Sequence, residues 1–316
     1  MTPVLNLNFF TSFLTSAVRM GIPFAYASLG EAISQKSGVI NIGLEANMLC
    51  GAFFGFTAAY FSGSLLIGFL TAALAGMLIS LGQAFFAIYL RRNQNVIGTA
   101  FNMFALGLTS FFYQLLVNHY ASSYPQIDTL KQVTIPGLSS IPLIGRSFFS
   151  NDIVVYLLYI IIIAMMFFLK KTAWGSSLVA VGENPQAADT AGISVYKTRY
   201  LAAAFNGIMS GIGGAYLTLG QLGVFSENIT SGRGYISLSL VVFGRRNPIG
   251  VFLSSVFIGA ANALQFKMQA FGVKMPTQFF SGLPYILTVI VLIISAVKKN
   301  DSDPASLGKP YVRTMR

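Results

Sequence analysis

One carboxylate lies in a part of the chain where a charge is costly. Glu45 is the only charged residue between Ser37 and Leu90. A carboxylate in such apolar surroundings marks either a functional site or a paired group that locks the structure together. Nearby residues would allow a broken helix whose freed backbone lines a cavity; they are Gly38, Gly43, Gly51, Asn41 and Asn47. The sequence leaves both interpretations of Glu45 open.

Neutral amides are the second set of residues that could bind a ligand. An amide can hydrogen-bond an uncharged, hydroxylated solute in both directions. An amino acid would instead need fixed charges, and Arg19 and Glu45 are the only candidates in the middle of the predicted spans. The polar residues within the apolar segments are Asn41, Glu45, Asn47, Gln83, Asn102, Asn206, Gln221, Asn262 and Gln265. We predict a substrate pathway from Asn41, Glu45, Asn47, Asn102 and Asn206, with helix–helix hydrogen bonding as the alternative for each amide.

Several kinds of covalent chemistry are excluded by what the chain lacks. There is no GxxxxGK[ST] segment to cradle nucleotide phosphates, and the single histidine, His119, cannot build an HExxH metal site. The serines have no histidine partner for a catalytic triad. A single cysteine, Cys50, excludes disulfides and cysteine-based metal sites. We therefore predict a chain that is no enzyme and binds no cofactor or metal itself.

The elements that carry these residues are membrane helices. Charged residues make up 9% of the 316 residues and hydrophobic residues 54%, against about 25% charged residues in soluble domains. The long apolar runs do not alternate as β-barrel strands do, and they suit helices that cross about 30 Å of hydrocarbon. We predict a single all-α membrane domain over 1–316 with about nine spans, in a range of eight to ten. These spans are 8–30, 39–61, 64–90, 96–118, 153–169, 200–224, a short one at 234–244, 249–271 and 279–297.

The basic residues indicate orientation. Most of the 20 Lys and Arg residues lie on alternate links, which the positive-inside bias makes cytoplasmic. A net charge of +11 thus needs no nucleic-acid partner. The bias predicts an extracytoplasmic segment at 119–152, a cytoplasmic loop at 170–199 and a cytoplasmic tail at 298–316. Nine crossings would place the N-terminus outside the membrane.

The cytoplasmic loop contains a short helix pattern in AVGENPQAADTAGISVYKTR. Asn184 suits the N-cap and Pro185 the first helical position, while Gly192 ends the helix. Three alanines, Ala187, Ala188 and Ala191, are expected to form a small open face that inserts into a groove on another protein. An ordinary amphipathic connector is the alternative.

Together, GEAISQKSGVINIGLEANMLCGAF and the alanine-rich loop resemble the membrane permease subunits of bacterial ABC importers. The resemblance is to the family of ribose-type sugar, branched-chain amino acid and nucleoside permeases. SGVINIGLE, followed by a Met-containing helix, is similar to the nucleoside and simple-sugar branch, although Ala46 stands where that branch more often has Gly.

The resemblance implies a type II ABC importer-like permease fold and a set of partners. A cytosolic ATPase would carry ATP and Mg²⁺, beside a second permease subunit and an extracytoplasmic substrate-binding lipoprotein in a bacterial cytoplasmic membrane. The implied ATPase-coupling residues are Gly182, Glu183, Asn184, Pro185, Ala187, Ala188, Ala191 and Gly192. The expected function is nucleoside import. The alternatives are a simple-sugar permease, an ion-coupled secondary transporter using Glu45, or a scaffold that transports nothing.

Overall fold

The chain folds as a bundle of helices. The computed structural model describes residues 7–120, 125–137, 139, 141, 144–270, 282, 285, 286, 289, 290, 293 and 303–313. The helices within these residues are α1 (Leu7–Lys36), α2 (Leu44–Ser62), α3 (Leu65–Ala84), α4 (Gln94–Tyr120), α5 (Ile144–Phe149), α6 (Ile153–Lys171), α7 (Ala173–Glu183), α8 (Pro185–Thr190), α9 (Val195–Ala215), α10 (Arg233–Phe243) and α11 (Pro248–Ala270). Two π-helical segments, Phe85–Tyr89 and Tyr216–Leu222, continue α3 and α9.

The predicted spans agree with the observed helices except near residue 40. We predicted that the first span ends at residue 30, but α1 continues to Lys36, because Glu31 and Gln35 hydrogen-bond each other inside the protein. Residues 39–43 were predicted to be helical but lie in a break between α1 and α2. Within the described residues, four helices are long and apolar enough to cross a membrane: Leu65–Tyr89, Gln94–His119, Ile153–Lys171 and Pro248–Gln269. The predicted span at 279–297 lies mostly outside the described residues.

Glycines bring α2, α3 and α9 into backbone contact. A Cβ at Gly51 would collide with the backbone of Gly211. A Cβ at Gly76 would likewise meet the backbone of Gly207 and Gly211. Small residues at helix crossings permit this close approach, and Gly207 and Gly211, four residues apart on α9, supply it here.

The short helix α10 begins inside the bundle. After the π-helical end of α9, residues 223–232 turn back along α2, where Phe225 packs on Phe53 and Phe56. Ile229 and Leu49 belong to the same apolar cluster. Helix α10 therefore starts beside the first turn of α2, and its 11 residues match the short segment predicted at 234–244.

The described residues between 125 and 151 cover one end of the bundle. Backbone bonds from Ile127 to Gly223 and from Leu130 to Leu219 attach this segment to the end of α9. It contains α5 and a two-stranded antiparallel ladder of β1 (Val133–Thr134) and β2 (Ser150–Asn151). This ladder is the one departure from an all-α fold within the described residues. We refer to the opposite end, which carries α7 and α8, as the α8 end.

Candidate translocation site and docking helix

Glu45 holds the start of α10. One carboxylate oxygen, Oε1, accepts the hydroxyl proton of Thr230 and the N–H of Gly232 at 2.8 Å. The other, Oε2, accepts the N–H of Gly234 at 2.6 Å. The side chain is 7% exposed. Since the first N–H groups of a helix have no partner within it and carry partial positive charge, a carboxylate is a favourable partner for them.

Two glycines make this contact possible. Gly232, directly before α10, has a φ of +82°, a conformation that favours glycine. At Gly234, a Cβ would collide with the backbone of Glu45. The contacts of Glu45 therefore match the second of the two interpretations, that of a paired group that locks the structure together, here α2 to the start of α10. Its predicted role in a substrate pathway stays a prediction.

Glu31 is a second buried carboxylate, which the sequence analysis missed. Its Oε1 accepts from Nε2 of Gln35 at 2.9 Å and from the N–H of Asn41 at 3.2 Å. Its Oε2 accepts from Nδ2 of Asn206 at 2.7 Å. Ending the first span at residue 30 hid this group, although the spacing of Glu31 and Gln35 (i, i+4) indicates a continuing helix.

Asn41 and Asn206 belong to the Glu31 cluster. Asn41 also approaches Ser80, whose hydroxyl donates to the carbonyl of Ala203 at 2.7 Å. Beside them, a cavity of about 20 Å³ is lined by Asn41, Ser80 and Gln83, which is room for about one water molecule. The cluster thus joins α1, α3 and α9 around the break before α2.

Asn47 is also held within the bundle. Its Oδ1 accepts from Nε2 of Gln83 at 3.1 Å, and the same nitrogen donates to the carbonyl of Gly43 at 3.2 Å. Asn47 is fully buried. These contacts match the alternative of helix–helix hydrogen bonding for this amide.

Asn102 differs from the other four predicted pathway residues because it is only half-buried. Its Oδ1 accepts from the N–H of Ala46 at 2.9 Å, and its Nδ2 donates to the carbonyl of Ile42 at 3.1 Å. Nδ2 also donates at 2.7 Å to the hydroxyl of Tyr235 on α10, and Tyr235 is 46% exposed. The sequence analysis did not name Tyr235, because its position beside Asn102 depends on where α10 begins.

Gln221 and Asn262 line a separate cavity of about 360 Å³ towards the end of the bundle opposite α8. Arg19 and Arg233 lie in the same lining, and Nε2 of Gln221 donates to the carbonyl of Arg19 at 2.8 Å. Among the residues that the structure describes, no group of three His, Cys, Asp or Glu side chains is placed to hold a metal ion.

The predicted docking helix forms as α8. Oδ1 of Asn184 accepts from the N–H of Ala187 at 3.0 Å, and Pro185 occupies the first turn. The expectation of an open face is wrong at Ala188, which is 4% exposed and packs inward. Pro185 and Ala188 are three residues apart and share the inner side, while Ala187 and Ala191, four apart, share the outer side.

Of the remaining predicted coupling residues, Gly182 is buried, and a Cβ there would collide with the backbone of Lys36. Glu183, Asn184 and Gly192 are exposed. Of the predicted coupling residues, the outer surface of this segment thus carries Glu183, Asn184, Ala187, Ala191 and Gly192, beside the exposed Gln186 and Thr190.

Comparison with known proteins identifies the class of the chain. Residues 13–292 match the family model described as "Branched-chain amino acid transport system / permease component". The chain belongs to this family, so it is a multi-pass membrane protein and the permease component of an ABC transporter rather than its ATPase subunit. ATP therefore binds a partner. Family membership overturns the alternatives of an ion-coupled secondary transporter and of a scaffold.

Individual relatives of this chain are named for nucleoside and sugar transport. The guanosine ABC transporter permease protein NupQ of Bacillus subtilis is 36% identical over 93% of this chain and 94% of its own. The nucleoside ABC transporter permease protein NupC of Lactococcus lactis is 37% identical over 92% and 94%. TsgC13 of Haloferax volcanii, a permease provisionally assigned to glucose, is 31% identical over 98% and 100%.

A solved structure supports the fold. A chain of an inward-facing transporter, provisionally classed as a metal-chelate type ABC transporter, aligns with a TM-score of 0.51. The alignment covers 90% of this chain and 85% of the other at 13% identity. The two chains share a fold.

Proposed function

We propose that this permease imports a nucleoside, and that the solute passes the exposed pair of Asn102 and Tyr235 at the start of α10. The observation that carries the proposal is this pair, because it joins an aromatic ring and a hydroxyl at a helix start inside the bundle. Broken helices whose ends lie within the membrane are a common way for transporters to build a solute site.

The chemistry of the pair suits a nucleoside. The hydroxyl of Tyr235 accepts from Asn102, which leaves its own proton to donate to a ring nitrogen or a ribose oxygen. The exposed Tyr235 ring offers a surface on which a base can stack. Phe101 and Phe104, whose ring centroids are 6.3 Å apart, add aromatic surface on the same helix as Asn102.

The relatives favour a nucleoside but keep a sugar as the second candidate. Two relatives named for guanosine or nucleoside transport are 36% and 37% identical to this chain. The glucose-assigned TsgC13 is 31% identical but matches over its entire length. A sugar would use the hydroxyl of Tyr235 without needing to stack on its ring.

The exposed residues of α8 and its flanks are the proposed contact for the cytosolic ATPase, which makes the α8 end cytoplasmic. We further propose a second permease subunit, whose interface with this chain forms the pathway, and a substrate-binding lipoprotein on the opposite side. The bacterial cytoplasmic membrane is the proposed location.

The test is uptake by the assembled transporter in proteoliposomes. We expect labelled guanosine or uridine to accumulate with ATP, and excess ribose or glucose to compete weakly. Tyr235→Leu should lower nucleoside uptake by about five- to a hundredfold, the range of a lost base–aromatic stack, while Tyr235→Phe keeps part of it.

Tyr89→Leu is the matched control, because Tyr89 is also exposed but lies at the end of the π-helical segment after α3. It should leave uptake unchanged. Sugar uptake without nucleoside uptake would overturn the substrate assignment. Equal effects of Tyr235→Leu and Tyr89→Leu would overturn the site.

A further inference from the structure

The C-terminal residues 303–313, here named the tail segment, pack against the α8 end of the bundle. We infer that the tail segment is a brace that fixes the position of α8, and that ATPase docking depends on it. The inference rests on the proposed docking role of α8 and adds a second segment, more than a hundred residues away in the chain, to the machinery that presents it.

Ser306 holds the segment that leads into α8. The N–H of Ser306 donates to the carbonyl of Gly182 at 3.0 Å, and its hydroxyl donates to the same oxygen. The carbonyl of Gly182 lies near the end of α7, where carbonyl groups lack helical partners. Ser306 supplies those bonds, so the end of α7 is joined to the tail segment.

Arg199, on α9, links the tail segment to the end of α1. Its side chain is 1% exposed. Its guanidinium donates to the carbonyl of Ser37 and to the carbonyl of Lys309, both at 3.2 Å. A third contact, at 3.5 Å, reaches the hydroxyl of Ser306. A buried guanidinium needs such acceptors, and two of the three come from the tail segment.

Tyr311 fills the space under α8. It is buried in a cluster with Val181, Ala188 and Val195, which come from α7, α8 and α9. Its ring meets that of Tyr196 edge-on, with centroids 5.6 Å apart. Ala188 is the residue that turns inward on α8, so the inner surface of this helix rests on the tail segment.

Two further contacts anchor the ends of the tail segment. Asp303 forms an ion pair with Arg246 at 2.6 Å, and Arg246 also donates to Oε1 of Gln35 on α1 at 2.9 Å. Arg313 pairs with Asp189 of α8 at 3.2 Å. The tail segment therefore spans from the residues after α10, across the end of α1, to α8 itself.

Helix α8 has little of its own to hold it. A helix of six residues is far below the length that is stable alone in water, and only Pro185 and Ala188 of its residues are buried. A docking helix must keep its position under load if the partner's motion is to reach the bundle. The contacts with the tail segment supply that constraint.

The experiment compares adjacent positions of the tail segment in the full transporter. Tyr311→Ala removes the ring under α8, and Val312→Ala alters an exposed neighbour. We measure how much ATPase subunit copurifies with the permease, and how much solute moves per ATP hydrolysed in proteoliposomes. We expect Tyr311→Ala to lower ATPase retention by roughly fivefold or more, in the range of typical coupling effects, and Val312→Ala to match wild type.

Two further variants separate positioning from folding. Tyr311→Phe keeps the ring and should restore ATPase retention. If Tyr311→Ala does not accumulate in the membrane, Ser306→Ala replaces it, because this change removes the hydroxyl bond to Gly182 and leaves the apolar cluster intact. Ala187→Cys labelling with a maleimide then reports the exposure of α8, since the one native cysteine, Cys50, is buried.

The outcomes distinguish the brace from the docking proposal. Ala187→Arg tests the docking proposal itself, because it places a bulky charge on the outer side of α8. If this variant retains the ATPase subunit as well as wild type does, the docking proposal fails. If wild type depends on α8 but Tyr311→Ala and Ser306→Ala bind the ATPase and couple transport as well as Val312→Ala does, the brace is overturned.

Discussion

Glu45 and Glu31 are both buried carboxylates near the break between α1 and α2, but they bind different kinds of donor. Glu45 accepts from two backbone N–H groups at the start of α10 and one hydroxyl. Glu31 accepts from two side-chain amides and one backbone N–H. Backbone donors in a helix start cannot turn away, whereas side-chain amides can exchange donor for acceptor. The donors around Glu45 thus require a carboxylate at this position, whereas the amides around Glu31 can rearrange to bind a neutral side chain.

The largest effect should come from Glu45→Ala. It leaves two buried donors, Thr230 and Gly234, and the half-buried N–H of Gly232 without an acceptor. At about 1–3 kcal/mol for each buried group, we expect a loss of about 3 kcal/mol or more in unfolding free energy and no transport. The measurements are thermal unfolding in detergent and uptake. Glu227→Ala, an exposed carboxylate in the same connecting segment, is the control. If Glu45→Ala is as stable as this control, the donors at the start of α10 do not require the carboxylate of Glu45.

Gly234→Ala should have an intermediate effect. The added Cβ would collide with the backbone of Glu45, and forcing a group into such a packed contact costs about 1–3 kcal/mol. Gly107→Ala in α4 is the matched control, because a Cβ there meets no atom within 4 Å. The difference in unfolding temperature between the two variants measures how closely α10 must approach α2. No difference would mean that the helix start can shift away.

The smallest effect is expected for Glu31→Gln, below about 1 kcal/mol. Oδ1 of Asn206 has no hydrogen-bond partner within the described structure, so this amide can turn and accept from the new Gln without losing a bond. Glu45→Gln should cost more, because the fixed N–H of Gly234 then faces an NH₂ group. Unfolding of both variants under one condition is the check. Equal losses would show that donor type does not matter.

The sequence predicted the helices well because apolar runs and charged links alternate clearly. The start of α10 was predicted within a residue for the same reason. It did not predict that α10 begins inside the bundle, since the return of residues 223–232 depends on Phe225 packing against α2. The sequence alone therefore could not identify the start of α10 as the partner of Glu45, and it left a pathway role and a locking role open.

The docking helix shows the same limit. Its cap and first residue follow from the local pattern of Asn184 and Pro185, and both were predicted. The direction in which Ala188 faces depends on Tyr311, which is distant in sequence. Side chains whose environment comes from remote segments cannot be assigned from local spacing alone.

The glycine contacts among α2, α3 and α9 have a mechanical consequence. At Gly51, Gly76 and Gly211 the backbones are in direct contact, with no side chains between them that could repack. These three helices therefore resist sliding and bending relative to one another. Helix α9 begins five residues after α8 ends. A force applied at α8 would therefore move the three helices together as one rigid unit.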